Sequence, residues 1–484
     1  MTTSPASDIV FISGNFNVLH AGHIRLFAFA RKFKERLVVG VSSDRIAADD
    51  ALINQDLRLE AVESNSWVSE VILIDQPISE VIEYLKPAIV VKGKEFEDQY
   101  NSEAELLAAY GGKLIFGSSE LPLSSFNMAI KELAGAEFRN VELPKLYLQR
   151  HAISVQQMLG TILDFKGLKV CVIGDLIVDE YINCESLGMS QEDPSLVVTP
   201  IARKMFLGGA GIVAAHAAAL GALCSLITVI GADEIGDFAV DSLKNYGVDA
   251  KYVVDENRPT TLKQRFRANE KTLLRVSHLN QNSINTNLQE ELLKNFRQSI
   301  QNCDLIIFSD FNYGALPQRL ITRCIKEASI GKIVCVADSQ CSSQVGDVSK
   351  FVGMDLISAT EREARISLRD NDDGLTMLAE RLRSAANAKN VMVKLGRDGV
   401  LIHTETPTAK VLTSQIPALS RNPVDVAGAG DSMLTATGMA LALGRSIWEA
   451  AAIGSLAAAL QVARLGNVPI NSDSITELLS GVNS

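Results

Sequence analysis

Short apolar runs of strand length recur along this chain, separated by segments with helical spacing. In the first third the runs are DIVFISGNF, RLVVGVSSD, EVILID, AIVVKG and KLIFGS. Helix-like segments fall between them, around 22–34, 57–65, 79–86 and 102–110. Near-continuous apolar strands alternating with helices predict a parallel, doubly wound sheet, closing near residue 135. Residues 136–167 carry no strand signal, contain Pro144 and have one helical pattern around 153–164; they read as a linker and an entry helix. A second α/β series follows over 168–484, with KVCVIGDLIVDEY, SLITVIG, DLIIFSD, KIVCVAD, DLISAT, VMVKLG and GVLIHT, and ends in two apolar helices at 428–444 and 446–463. Two stretches break the alternation: 181–200 and 250–280 have strand periodicity with few helices.

A length of 484 residues suits two or three domains. Hydrophobic residues make up 47% and charged residues 21%, ordinary for a globular protein with more than one core. The net charge of −11 argues against a nucleic-acid or anionic-membrane surface as the main partner, because both want clustered Lys and Arg. The seven cysteines (Cys171, Cys184, Cys224, Cys303, Cys324, Cys335 and Cys341) are scattered without CxxC spacing and read as buried, reduced thiols. MTTSPASD lacks the basic-then-apolar pattern of a signal peptide. No apolar run reaches the ~20 residues needed to span a bilayer. The 446–463 stretch is interrupted by Trp448, Glu449 and Gln461 and reads as a buried helix. A cytoplasmic location is expected.

The first chemical motif runs from Gly14 to His23, GNFNVLHAGH, after a strand and into a helix. His20 and His23 can face one anion together where the helix dipole and free N–H groups favour phosphate. Two imidazoles add donors for charge developing on phosphorus, and Gly14 and Gly22 allow close backbone approach. A zinc pair is the rival reading, but no Cys or carboxylate nearby completes a ligand set; two ordinary surface histidines are the bland one. Gly14, Asn15, Phe16 and the His pair resemble the nucleotidyltransferase superfamily with the HxGH signature, in its cytidylyltransferase-like branch, over about 8–135. That resemblance implies a Rossmann-like domain that binds nucleotide through Arg58, Lys92-Gly93 and Ser124-Ser125. Each has a plainer reading: a helix-surface arginine, a solvated strand-end lysine and a helix N-cap. Asn17 stands where the family usually has Asp, and Ile46-Ala47-Ala48-Asp49 where it has a Lys-Gly pair.

The second motif is Asp425-Val-Ala-Gly428-Ala429-Gly430-Asp431 before a long apolar helix. A Gly-rich turn at a helix start presents several N–H groups to one anion. Asp431 at that turn can take the proton of an attacking hydroxyl, and phosphoryl transfer needs little beyond positioning, charge neutralisation and such a base. Alone, the turn could equally begin a structural helix. It is joined by Gly208-Gly209 in the LGGAG that opens an Ala-rich helix, by Asp175 and Asp179 after the first strand of this half, and by Lys394-Leu-Gly396-Arg-Asp-Gly399. The aspartates could be strand-end caps and Lys394 a solvated lysine. Together these residues resemble the ribokinase-like sugar kinase family over about 168–470. The resemblance implies Asp431 as general base, the Gly428–Gly430 amides as anion hole, and Asp175 and Asp179 on sugar hydroxyls. It further implies Asp425 and Glu363 on the Mg²⁺–ATP end, with Thr360 replacing the Asn of an NxxE motif, and a small β lid from 181–200 and 250–280.

A kinase joined to a nucleotidyltransferase resembles the bifunctional ADP-heptose synthase family. Ser190-Gln-Glu192-Asp-Pro194, Pro259-Thr-Thr-Leu-Lys263-Gln-Arg265 and Ser309-Asp310-Phe-Asn-Tyr313-Gly314 carry the local likeness. It implies a sugar phosphate and a nucleoside triphosphate as substrates, Lys263 and Arg265 on the sugar phosphate, Mg²⁺ as cofactor, and a homodimer through the lid. The domain order is reversed relative to that family. Ile212 replaces an Asn, Tyr313 a Lys, and Asp338-Ser-Gln340 an Asp-Pro-Lys run.

Overall fold

The structure, a computed structural model, describes the chain except residues 1–6, 18, 20, 35, 49–50, 52, 94–100, 118–140, 269–270, 341–345, 406–410, 421–422 and 482–484. The chain forms two compact units, Met1–Leu133 and Ala134–Ser484.

The smaller unit is built on a five-stranded sheet whose strands lie in the order Glu70–Ile74, Arg36–Ser42, Ser7–Gly14, Pro87–Gly93, Lys113–Gly117. All four pairings are parallel, as the unbroken apolar runs predict. Successive residues face opposite cores: Val10, Ile12, Val39 and Val91 pack on one side, and Ile9, Phe11, Val38 and Val90 on the other. The winding reverses between Ser7–Gly14 and Pro87–Gly93, which opens a crevice at their carboxyl ends. Gly14 and Gly93 stand at those two ends.

The larger unit holds a nine-stranded sheet in the order Asp249–Val254, Leu223–Ile230, Lys169–Gly174, Leu305–Asp310, Val334–Ser339, Leu356–Thr360, Asn390–Lys394, Val400–Glu405, Val411–Ile416. The first seven strands pair in parallel. The last two pairings are antiparallel; for the first of them, the tight turn at Leu395–Gly399 is too short for a crossover. Helices Ala429–Ala442 and Ile447–Val462 are buried nearly all round, which explains their lack of polar faces. They approach closely because Gly454 has no Cβ to meet Met433 and Thr437.

The stretch read as a linker and an entry helix does carry the expected helix, at Val155–Leu163, and it packs into this unit's core. Helices Lys145–Arg150 and Val155–Leu163 bury Tyr147, Met158 and Ile162 in the main cluster. The Tyr147 hydroxyl donates to the Trp448 carbonyl at 3.0 Å, and Thr161 to Glu449 at 2.6 Å.

A separate four-stranded sheet runs Lys271–His278, Thr261–Ala268, Leu176–Met189, Leu196–Gly209. It is wider than 181–200 suggests, since both long strands begin or end at the main sheet. The start of the 250–280 stretch does not join it: Asp249–Val254 pairs with Leu223–Ile230 at the edge of the large sheet. The six described cysteines are free and buried. Burial raises their thiol pKa values, that of Cys303 to about 11 and those of Cys324 and Cys335 to about 12. Among the described residues no helix is long and apolar enough to cross a membrane.

Candidate active sites

Between the small sheet and the carboxyl ends of the large one lies a cavity of about 1030 Å³. Its walls include Asp179, Lys263, Arg265, Lys394, the Gly428–Gly430 turn and Asp431. The sequence brings them together through three devices. The chain leaves strand Lys169–Gly174 directly into the small sheet, carrying Asp179 over the cavity. The hairpin Thr261–His278 adds Lys263 and Arg265 beside it. Gly428, at φ +75°, turns the chain into the helix whose first residues are Ala429, Gly430 and Asp431. A Cβ at Gly428 would strike Asn467, so the turn requires glycine on two counts. The first-turn amides of a helix have no carbonyl partner within it and here face the cavity wall.

Asp431 is buried, and its Oδ1 accepts from Gln340 Nε2 at 3.2 Å. Burial, reinforced by Asp338 and opposed by Lys394, pushes its carboxyl up to about 7. Among the described residues its carboxylate bonds Gln340 and not the amides of its own helix, which speaks against a helix-capping role. Lys394 reaches Asp338 at 2.7 Å. Burial disfavours its charge, but Asp338, Glu363 and the other carboxylates prevail and hold it protonated above the ordinary lysine value. The ammonium also lies next to Gly430. The second oxygen of Asp338 is buried and has no hydrogen-bond partner among the described residues. Gly396 and Gly399, both at positive φ, and Gly209 line the same cavity. Gly208 pairs with Ile177, and a Cβ there would crowd the Asp179 carboxylate.

Three sequence-based assignments in this unit change. Asp175 does not line the cavity; its carboxylate accepts the backbone amides of Phe311 (2.8 Å), Tyr313 (3.3 Å) and Ala315 (3.2 Å). Burial, then Asp310, raises it to about 6. It fixes the loop that carries Tyr313, whose ring lines the cavity under Lys263 at 5.1 Å. Asp425 is likewise engaged by protein. It accepts from the Tyr181 hydroxyl at 2.7 Å, Gly466 N at 3.0 Å and Ala427 N at 3.1 Å. That leaves little of it for a metal. Glu363 lines the cavity while forming a capping box with Thr360, accepting the Thr360 amide at 2.7 Å. Among the described residues no group of three or more His, Cys, Asp or Glu could hold a metal ion. The protein side therefore offers at most one or two carboxylates, the number Mg²⁺ takes when it arrives on nucleotide phosphates. Ile212, expected at the sugar, is fully buried in the main core. Gln340, the end of the run that replaces Asp-Pro-Lys, lines the cavity, as do Asn467 and Arg275, which the motifs do not include; the period-2 spacing of 263, 265, 275 and 277 across a hairpin is the signal that points to Arg275.

In the smaller unit, Gly14-Asn15-Phe16 leaves the central strand as expected. Phe16 adopts φ +50° and packs edge-on to His23, with ring centroids 5.2 Å apart. His23 lies in the first turn of helix Ala21–Ala30. His20, Ser124 and Ser125 lie outside the described residues. Arg58 is neither a helix-surface residue nor a cleft residue. Its side chain is fully buried and donates to the carbonyls of Ile53 (2.7 Å), Asn15 (2.7 Å) and Ser42 (2.8 Å) and to Asp44 (2.5 Å). It clamps the loop after the first strand. Lys92 pairs with Glu103 at 2.7 Å and Asn101 at 2.9 Å beside the strand-end Gly93.

These features define a carbohydrate kinase fold with a second, nucleotidyltransferase-type unit. The pattern of the pfkB family carbohydrate kinases matches residues 168–473, more than half of the chain, and the chain belongs to that family. The cytidylyltransferase-like pattern matches residues 11–120. Among curated proteins the chain is similar to the bifunctional protein HldE of Nitratiruptor sp., at 30% identity over 312 residues, covering 64% of each chain. It is also similar to that of Desulfatibacillum aliphaticivorans, at 30% over 314 residues, covering 63% of this chain and 62% of the relative. The matches thus span less than two thirds of the relatives' length. Among solved structures, ribokinase from Thermotoga maritima shares the fold at 20% identity and a TM-score of 0.51, covering 65% of this chain and 99% of its own. Phosphofructokinase-2 from Escherichia coli does so at 17% and 0.54, covering 66% and 100%.

Proposed function

We propose that the larger unit phosphorylates a sugar phosphate with Mg²⁺–ATP and that the smaller unit couples the resulting sugar 1-phosphate to a nucleotide, releasing pyrophosphate. The observation that carries the kinase reading is Asp431, buried beside the Gly428–Gly430 turn with its carboxyl pushed up to about 7. An acceptor hydroxyl between Asp179 and Asp431 loses its proton to Asp431 as its oxygen bonds to the γ-phosphorus, and ADP leaves. The turn amides and the Lys394 ammonium face the charge on the transferring group. Glu363, in the cavity lining, would help hold Mg²⁺ brought by the nucleotide, and the ion would neutralise phosphate charge. The small sheet acts as the lid. Its tip exposes Leu187, Met189, Leu196 and Ile201, which supports a homodimer through the lid; sedimentation at micromolar concentration, giving twice the chain mass, tests that part.

The HldE relatives support a heptose 7-phosphate-like acceptor and an ADP-sugar-like product. Incubation with ATP or CTP and a panel of sugar phosphates, with products weighed by mass spectrometry, tests both steps: a phosphorylated acceptor and a nucleotide sugar are expected. A second reading keeps the kinase and makes the smaller unit a nucleotide-binding module without transfer. Asn17 and the absence of a Lys-Gly pair after the second strand favour it; absence of pyrophosphate release in the presence of sugar 1-phosphate would establish it.

A further inference from the structure

The segment entering the glycine turn and the loop after helix Ile447–Val462 are stapled into one body. Asp425 accepts the amides of Ala427 at 3.1 Å and Gly466 at 3.0 Å. Gln461, fully buried, donates its Nε2 to the carbonyls of the same two residues, at 3.3 and 3.0 Å. Asn467 is the next residue of that loop; it is buried and lines the cavity. Its Nδ2 donates to Asp179 Oδ2 at 3.3 Å, while Arg265 holds the other oxygen of Asp179 at 3.2 Å. The atom facing a carboxylate has to be the nitrogen, so the orientation of the Asn467 amide is determined. Its Oδ1 then abuts Gly428, only 2.3 Å from where a Cβ there would stand. That oxygen is buried and has no hydrogen-bond partner among the described residues. A buried acceptor without a donor costs stability, so stability alone does not account for an asparagine here. What its side chain does is bridge: one end touches the carboxylate that faces the acceptor, the other the turn that faces the nucleotide.

We propose that Asn467 is a positioning residue that couples acceptor binding to nucleotide binding through Asp179 and Gly428. An acceptor hydroxyl that donates to Asp179 fixes that carboxylate, and the carboxylate fixes the Asn467 amide. The amide oxygen in turn restrains Gly428, which as a glycine has the least resistance of its own to backbone displacement. The ordering that both ligands require is then completed by whichever binds first, and each tightens the other by the same factor. The identity of the two ligands rests on the kinase reading above.

The test is calorimetric titration of the full chain with a non-hydrolysable ATP analogue and Mg²⁺, alone and then with heptose 7-phosphate or fructose 6-phosphate present at millimolar concentration. In the wild type a sugar phosphate should tighten the analogue at least about fivefold, the lower end for coupled sites. In Asn467→Ala and Asn467→Asp the tightening should fall below about twofold, less than such coupling gives. Asn467→Asp keeps the shape of the side chain, and so its contact with Gly428, but as a carboxylate offers Asp179 no donor. Should Asn467→Ala fail to fold, Asn467→Asp decides. Wild-type coupling in Asn467→Asp would mean that the hydrogen bond is not the link, and overturns the proposal. So does the absence of tightening in the wild type with both sugars. A lowered melting temperature in Asn467→Ala with coupling intact would make Asn467 a structural residue and overturns it too. The kinase reading fails separately. If the wild type phosphorylates either sugar with ATP while its affinity for the analogue ignores that sugar, the coupling falls and the kinase reading stands. If coupling is present in the wild type and lost in the variants while neither sugar is phosphorylated, the coupling stands and the kinase reading falls.

Discussion

Asp431 sits in the first turn of its helix, yet it bonds Gln340 and not the amides of that helix, and its carboxyl is held near the middle of the physiological range. Two consequences can be measured on one mutant. As a general base it must be ionised, so kcat/KM should fall below an acidic limb near pH 7. Asp431→Asn should lower kcat by at least ~10²-fold, the lower end for acid–base help, and abolish that limb. The stability sign runs the other way. A carboxyl with a raised folded pKa binds more protons in the native state between the ordinary value of 3.8 and about 7. Wild-type stability should therefore decline as pH rises through that window, and Asp431→Asn should melt higher than wild type at pH 8. A kcat within threefold of wild type, with no change in the limb, would remove Asp431 from the chemistry. Arg58 shows the opposite relation of residue to role: its charge serves backbone carbonyls and Asp44, and it holds the Asn15 loop in shape.

At the scale of elements, a hydrogen bond from Tyr181 to Asp425 ties the small sheet to the segment leading into the glycine turn. Tyr181→Phe should remove it and little else, since Gly466 and Ala427 still satisfy the carboxylate. A net loss of about 1 kcal/mol in stability is expected. The KM for ATP should rise severalfold while the KM for the sugar changes less; an unchanged ATP KM would show that the turn holds its shape without the sheet. What the sequence reveals of these elements follows its range. The strands, both glycine turns and Asp431 are legible because each lies within a dozen contiguous residues. Asp175 and Asp425 are recognisable as unusual carboxylates, but their partners are not. The amides that bind Asp175 come from residues 136 to 140 positions away, and Tyr181 is 244 positions from Asp425. A motif places a residue type at a strand end without telling whether ligand or backbone will satisfy it. The helix at Val155–Leu163 is legible from its apolar spacing, but its docking in the core is not, because it is fixed by distant partners such as Glu449.

For the whole molecule, two units with separate cores and separate glycine turns should carry separable activities. Changing His20 and His23 together to Ala should abolish pyrophosphate release and leave sugar phosphorylation within about twofold, since general charge stabilisation by such donors acts only at its own site. Kinase turnover falling in parallel would mean that the two reactions share a site. The chain's thiols carry a further consequence. All six described cysteines are buried, with thiolate formation suppressed, and a thiol reacts only as thiolate and only when reached. Alkylation is therefore a clock for opening. Cys184 lies in the small sheet, whereas Cys171, Cys224 and Cys335 lie in the large one. Under a constant excess of maleimide, peptide mapping should find Cys184 modified earliest of these four and the large-sheet thiols only as that unit unfolds. Occupancy of the cavity by nucleotide and sugar phosphate should slow the first event, so the protein reports by its own chemistry when its sheet lifts.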